Sequence, residues 1–157
     1  KEYIATLKLG ATTPSFDMET EEDSVFDYSH VTLEIFVEAA KKFVGEIDQV
    51  PPIFSAVKVK GKRAFEYARN GEELKLKSRK IEIKEIFVES FSLPIIKIKV
   101  VCSKGTYIRS LARDIGKELN CGAYLTDLRR TRIGKFDVED AFNINFFLDN
   151  LGTIVTN

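Results

Sequence analysis

Two alternating runs stand almost back to back: Arg79 to Ser90, with its IEIKEIFV centre, and Ile95 to Val101, reading IIKIKVV, with Pro94 in the turn between them. A period of two over lengths like these predicts an antiparallel strand pair with one face wet and the other needing cover. The cover has to come from helices, and the rest of the chain predicts them. Thr32 is placed as an N-cap for LEIFVEAAKKFVGEI, in which Leu33, Phe36, Val37, Ala40, Phe43 and Val44 recur at helical spacing and Gly45 marks the end. A second helix is expected from about Thr106 to Leu119, apolar at Ile108, Leu111, Ala112, Ile115 and Leu119. Tyr3 to Leu9 reads as a further strand, stopped by Gly10 to Pro14, and the acidic METEEDSVFD stretch after it as a solvated connection.

Pro51 and Pro52 break the chain before a short strand at Ala56 to Val59, a basic turn at Lys60 to Arg63 and a short helix at Ala64 to Asn70. After Gly122 a short helical or looped piece is expected, followed by the RRTRIGKF run and weaker helical signals around Val138 to Phe142 and Phe146 to Leu151. Strands scattered among helices without βαβ regularity place the chain in the α+β class, with a mixed, mainly antiparallel sheet flanked by helices. At 157 residues it is one domain's worth of chain.

The formal charge is zero, but its distribution is uneven. Residues 1–50 hold four Lys against eleven Asp and Glu, a net of −7, whereas residues 51–135 hold twenty Lys and Arg against nine acidic residues, a net of +11. A basic middle between acidic ends suits a polyanion, since phosphate affinity follows local charge; a solvated lysine-rich surface is the bland alternative. Two cysteines, Cys102 and Cys121, and one histidine support neither a disulfide framework nor a zinc site, so both thiols are expected in the core. No P-loop, GxGxxG, Ser-His-Asp set or carboxylate cluster stands out, which removes NTPase, dehydrogenase, serine hydrolase and metalloenzyme readings and leaves no cofactor or metal expected. Apolar runs are far too short for a membrane span, and Lys1-Glu2-Tyr3 opens no targeting segment, so the cytoplasm is the expected compartment.

Three clusters can carry chemistry. In CSKGTYIRSLARDIGKEL, Lys104 and Gly105 precede a helix whose free N–H groups suit a phosphate. Arg109 lies in its first turn, where the macrodipole disfavours a cation by about 0.3–1 kcal/mol unless an anion compensates. That anion is either a ligand or a carboxylate of this chain. Arg109, Arg113 and Lys117, four apart, form a basic stripe, and Tyr107 either stacks on a base or packs. In QVPPIFSAVKVKGKRAFEYARNG, the bases Lys58, Lys60, Lys62, Arg63 and Arg69 alternate with Phe65 and Tyr67, a composition that RNA binding needs and lysine-rich surfaces also show. In LTDLRRTRIGKF, Arg129, Arg130, Arg132 and Lys135 are either phosphate contacts or guards on an edge strand. His30 is expected at the surface.

Taken in order, these blocks resemble the catalytic domain of the bacterial tRNA pseudouridine-55 synthases, the TruB family. The resemblance rests on KEY with LGATTPSFD, on QVPPIFSAVKVKGKRAFEYARNG, on VVCSKGTYIRSLARDIGKELNCGAYL and on LRRTRIGKF, which together cover most of residues 1–136. It implies a pseudouridine synthase fold, isomerisation of the T-loop uridine of tRNA, and no cofactor. Tyr3 resembles the tyrosine that stacks on the flipped uracil and takes the C2′ proton; Arg109 resembles the arginine that pairs with the nucleophilic aspartate; Leu128 resembles the leucine packed under the target base. Lys58, Tyr67, Lys104 and Tyr107 match positions near bound RNA.

The family's G-x-x-D-P-x-A-T-G-like motif, which carries the nucleophile upstream of K-x-Y, does not occur in this sequence. With no initiating methionine, the chain is therefore expected to be one partial catalytic domain over residues 1–157, inactive alone, with no separate C-terminal RNA-binding module. Lost N-terminal strands would leave a sheet edge open to self-association. A non-catalytic RNA-binding domain on the same scaffold, or an interaction protein with a lysine-rich surface, are the alternatives.

Overall fold

In the computed structural model, residues 1–52 and 77–131 are described in full, and the backbone alone is described at 58–59, 62–63, 132–133, 136–137 and 154–155. Glu2–Leu9 forms strand β1, and the short strands β2 (Ala11–Thr12) and β3 (Ser24–Val25) pair with each other beside it. The acidic connection is therefore not wholly irregular. Helix α1 (Leu33–Lys41) starts where Thr32 accepts the Ile35 N–H at 3.1 Å. It ends a turn earlier than its apolar pattern predicts: Gly45 takes φ 109° and opens strand β4 (Gly45–Gln49), because the edge of another strand offers GEIDQ a ladder that helix propensity cannot match.

The expected antiparallel pair is β7 (Arg79–Ser92) with β8 (Ile95–Cys102). Between β7 and β8 lies a register shift at Ile83 to Glu85, so the inward set changes phase from Ile81 and Ile83 to Ile86 and Val88, all buried. The other face is wet only at its ends: Phe87 and Lys99 are buried at its centre, with the Lys99 ammonium 5.4 Å from the Phe87 ring centre. One wet face was the expectation; at Phe87 and Lys99 that face is buried as well.

Helix α2 (Ile108–Glu118) follows, and strand β9 (Ala123–Ile133) replaces the helical or looped piece expected after Gly122. Pairing with β1 decides this, since β9 runs antiparallel to the whole of β1, from Glu2 opposite Arg132 to Leu9 opposite Ala123. The described strands build a seven-stranded sheet ordered β10 (Phe136–Asp137), β9, β1, β8, β7 and β11 (Ile154–Val155), with β4 also on β7 and every pairing antiparallel. Strands β5 (Lys58–Val59) and β6 (Lys62–Arg63) form a small hairpin of their own, in accord with the basic turn expected there. The helices expected at Ala64 to Asn70, Val138 to Phe142 and Phe146 to Leu151 lie outside the described residues.

Both helices lie on one face of the sheet. Phe36 and Ala40 of α1 and Leu111, Ala112 and Ile115 of α2 join Ala5, Leu7, Leu9, Ile86, Ile98 and Val100 in a single apolar cluster. A fully buried Phe36 or Ile115 contributes about 1.5–3 kcal/mol. Gly116 sets how closely α2 approaches β9, because a Cβ there would sit 2.3 Å from the Ala123 nitrogen. Cys102 and Cys121 are buried as expected, and burial pushes both thiols up from their ordinary range. Among the described residues no helix is long and apolar enough to cross a membrane.

Candidate functional site

The pairing of β9 with β1 is where the site begins. Leu7 faces Leu125 and Leu9 faces Ala123, all in the core. Between Thr6 and Leu7 the register shifts by one residue, so Asp127 faces Thr6 and Thr126 is the extra residue, its hydroxyl donating to the Thr6 carbonyl at 3.1 Å. A bulge of this kind reverses the phase of a strand. Beyond it Leu128 faces Ala5 and Arg130 faces Tyr3, so Leu128 and Arg130 project to the same side as Leu125 although an even alternation would send them to the other. Here α2 no longer covers the sheet, and Leu128 is 42% exposed.

Against this corner lies the loop after β2. Phe16 takes φ 66°, a left-handed conformation that costs a bulky side chain energy and that surrounding contacts must hold. Those contacts are present: the Leu125 N–H donates to the Phe16 carbonyl at 2.9 Å, Asp17 bridges Leu125, and the Thr13 hydroxyl donates to the Asp17 carbonyl at 2.6 Å. The Asp17 carboxylate is oriented by the Ser15 hydroxyl at 2.6 Å and the Glu19 N–H at 2.9 Å, both to Oδ1. Its other oxygen lies 3.6 Å from Arg109 Nη1, which also donates to the Ser15 carbonyl at 3.3 Å. The anion that Arg109 requires at the head of α2 is thus a carboxylate of this chain.

Asp17, Met18, Glu19, Arg109, Leu125, Thr126, Asp127 and Leu128 line an open cavity of about 410 Å³. It joins one cation and carboxylates to apolar walls, a combination suited to a flat polar ligand. The acidic loop is pinned beside it: Tyr124 Oη and Lys8 Nζ both donate to Glu22 Oε2, at 2.6 and 2.9 Å. These contacts, the Tyr124 hydroxyl first, hold the Glu22 carboxyl below the usual range, while burial and then Glu22 push the Tyr124 phenol up.

The structure brings Arg109 and Leu128 to one cavity. Tyr3 is half-buried on the same sheet face, two residues along β1 from the register partner of Leu128. Lys104 is exposed in the turn before α2, where Gly105 takes φ 88°, and Tyr107 is the half-buried N-cap residue. Arg129 and Arg130 are exposed on β9. The basic stripe is divided: Lys117 is exposed, but Arg113 stacks its guanidinium 4.7 Å from the Phe16 ring centre and donates to the Val50 carbonyl at 3.1 Å and to Asp114 at 2.8 Å. Arg113 is occupied by the protein, and the stripe expected from spacing alone is not a continuous solvent face. Lys58, Lys62 and Arg63 are placed by backbone on the β5–β6 hairpin and Arg132 opposite Glu2; Lys60, Tyr67 and Arg69 lie outside the described residues. His30 is exposed as expected, with Nε2 2.7 Å from the Leu119 carbonyl. Among the described residues no group of three metal-ligating side chains occurs.

Residues 1–108 match the profile of the TruB family pseudouridylate synthase N-terminal domain. The chain belongs to the TruB family. Residues 109–154 match the tRNA pseudouridylate synthase B C-terminal domain profile. Among curated relatives, the tRNA pseudouridine synthase B of Phocaeicola vulgatus is 56% identical over 94% of this chain and 63% of its own length. That of Parabacteroides distasonis is 60% identical over 88% and 59%. The chain therefore spans about three fifths of the length of these TruB relatives. Among solved structures, a Cbf5-Nop10-Gar1 complex aligns with TM-score 0.61 and 27% identity over 96% of this chain and 37% of that one. An H/ACA RNP bound to a substrate RNA containing 2′-deoxyuridine aligns with TM-score 0.56 and 25% identity, covering 88% and 30%. In sheet and helices the chain is a pseudouridine synthase fold, α+β and mainly antiparallel.

Asp17 is the residue that sequence reasoning missed. It sits inside the LGATTPSFD block, but eleven acidic residues in the first fifty gave no means of choosing it. The demand for an anion beside Arg109 was legible; the left-handed turn at Phe16 that supplies one was not.

Proposed function

We propose that the protein containing this chain converts the T-loop uridine of tRNA to pseudouridine, in the cytoplasm and without a cofactor or metal. The observation that carries the reading is that Arg109 of α2 and Leu128 of β9 share one cavity wall. In this reading Arg109 pairs with a nucleophilic aspartate of the family's motif, which this chain does not contain, and Leu128 lies under the base. Tyr3 stacks on the uracil and takes the C2′ proton. The C1′–N1 bond breaks to leave a C1′–C2′ double bond, the uracil turns, and C5 bonds to C1′ as Tyr3 returns the proton to C2′; C5 then loses a proton and N1 gains one, so the product is an isomer. Asp17, paired with Arg109 before any substrate arrives, holds the guanidinium in the cavity wall and offsets its unfavourable place at the helix head.

The uridine has to leave its stack, at a cost of about a few kcal/mol, and contacts to RNA offset it. Those contacts are assigned to Lys104, Tyr107, Arg129 and Arg130 around the cavity, and to Lys58, Lys60, Lys62, Arg63, Tyr67, Arg69 and Arg132 of the basic middle. Arg113, largely occupied by Phe16, Val50 and Asp114, acts on RNA through the shape of the loop. An open edge of the sheet is the surface proposed for self-association of this chain by itself.

The test is pseudouridine formation on a T-arm stem-loop by the full-length protein and by the 157-residue chain. The reading predicts product from the full-length protein only, with RNA binding that weakens steeply as salt rises. Salt-sensitive binding without product from the full-length protein would replace it with the non-catalytic RNA-binding alternative.

A further inference from the structure

We propose that Gln49 is a positioning residue for the arginine of this site, acting through the backbone of Tyr107. Gln49 ends β4 and is 2% exposed, at a position where an apolar side chain would pack without any polar group to satisfy. Both ends of its carboxamide are spent on one residue: Tyr107 N–H donates to Oε1 at 2.9 Å, and Nε2 donates to the Tyr107 carbonyl at 3.1 Å. This closed pair imitates a rung of an antiparallel ladder, made by a side chain.

Its location gives it consequence. Tyr107 is the N-cap of α2, and its own side chain makes no capping hydrogen bond. The Tyr107 carbonyl also accepts the Leu111 N–H at 3.2 Å, so the bond that starts the helix and the bond from Gln49 meet on one oxygen. Arg109 is two residues further on, where a change in the Tyr107 backbone turns the first helical turn and moves the guanidinium against Asp17 and the cavity. The next residue, Val50, ties the same segment to the same helix in a different way: its carbonyl accepts from Ser110 at 2.8 Å and from Arg113 at 3.1 Å, further along α2. Gln49 holds the entry of the helix, while Val50 holds its flank. Polar groups buried and satisfied in this manner specify one geometry where an apolar residue would permit several.

The inference rests on the synthase reading, and its test separates the two. Gln49→Met keeps size and removes both bonds; Gln49→Glu keeps size and sets a carboxylate against the Tyr107 carbonyl; Ser110→Ala removes a neighbouring tie. In the full-length protein, single-turnover pseudouridine formation, affinity for a T-arm stem-loop, the thermal midpoint and amide exchange over residues 107–111 are measured for each. Misplacement of a reacting group by an ångström is worth about a hundredfold, so both Gln49 variants are expected to lose at least about tenfold in rate, with affinity changed less than about threefold. Amide exchange at Tyr107 to Arg109 is expected to quicken in Gln49→Met and to stay near wild type in Ser110→Ala, which also keeps its rate. If Gln49→Glu does not fold, Gln49→Met carries the test.

Wild-type rates in Gln49→Met, or rate losses that follow the thermal midpoint through all three variants, overturn the inference. An inactive wild-type protein overturns the synthase reading. The exchange data then decide whether Gln49 still sets the helix entry.

Discussion

The two halves of the β1–β9 ladder use the same strands for opposite purposes. From Leu7 to Leu9 the pairs are Leu–Leu and Leu–Ala, closed under α2; from Tyr3 to Ala5 they are Tyr–Arg and Ala–Leu, open at a cavity with Arg109 and Asp17 beside it. One extra residue, Thr126, separates them. The candidate site therefore needs no element of its own here: a core ladder continued past its helix, with its phase reset, places a leucine and an arginine where core side chains would otherwise be.

Deleting Thr126 breaks the comparison most severely. Closing the ladder keeps Leu128 opposite Ala5 and Arg130 opposite Tyr3 but removes Thr126 from the cavity wall and the bend that the bulge gives the strand, and the full-length protein is expected to lose about a hundredfold in single-turnover rate while the inner pairs keep it folded. Wild-type activity in a folded deletion variant would show that the bulge does not place the site. The two leucines sharpen the contrast. Leu125→Ala is expected to cost about 2–5 kcal/mol in denaturant unfolding, as a 4% exposed core residue, and Leu128→Ala below about 1 kcal/mol. Activity at a temperature where both are folded should rank them the other way, with Leu128→Ala lower.

Asp17→Asn tests the loop against the ladder. Losing the charge beside Arg109 while keeping Ser15 and Glu19 as neighbours is expected to lower the rate about tenfold and to leave stability within about 1 kcal/mol, since the pair is partly solvated. Equal activity in the asparagine variant would confine Asp17 to a structural part. The smallest effect concerns the closed side of the sheet. Burial raises both thiols, so at pH 8 Cys102 and Cys121 should alkylate at least about tenfold more slowly than a free thiol, measured by peptide mapping, and rapid labelling of either would mean that the core opens readily.

Where local signal and tertiary pairing agree, the fold was legible. Thr32, the β7–β8 alternation and the apolar spacing of α2 each point to what the structure contains. Where pairing overrides pattern, it was not. GEIDQ, where the sequence marks only a helix end at Gly45, joins β7, and AYLTDLRRTRI loses its alternation at Thr126 because the bulge that builds the site also erases the strand's period. Arg109 and Leu128 could be singled out from their motifs. Asp17 and Gln49 could not, since their partners, 92 and 58 residues away, are brought near only by the sheet.

The most direct measurement is single-turnover pseudouridine formation on a T-arm stem-loop by the full-length protein and its Arg109→Lys variant, with RNA affinity determined in parallel. A lysine keeps the charge and loses the guanidinium fork, so the account predicts a rate lower by about a hundredfold or more at nearly unchanged affinity. Equal rates in the two proteins, with the RNA equally bound, would contradict it.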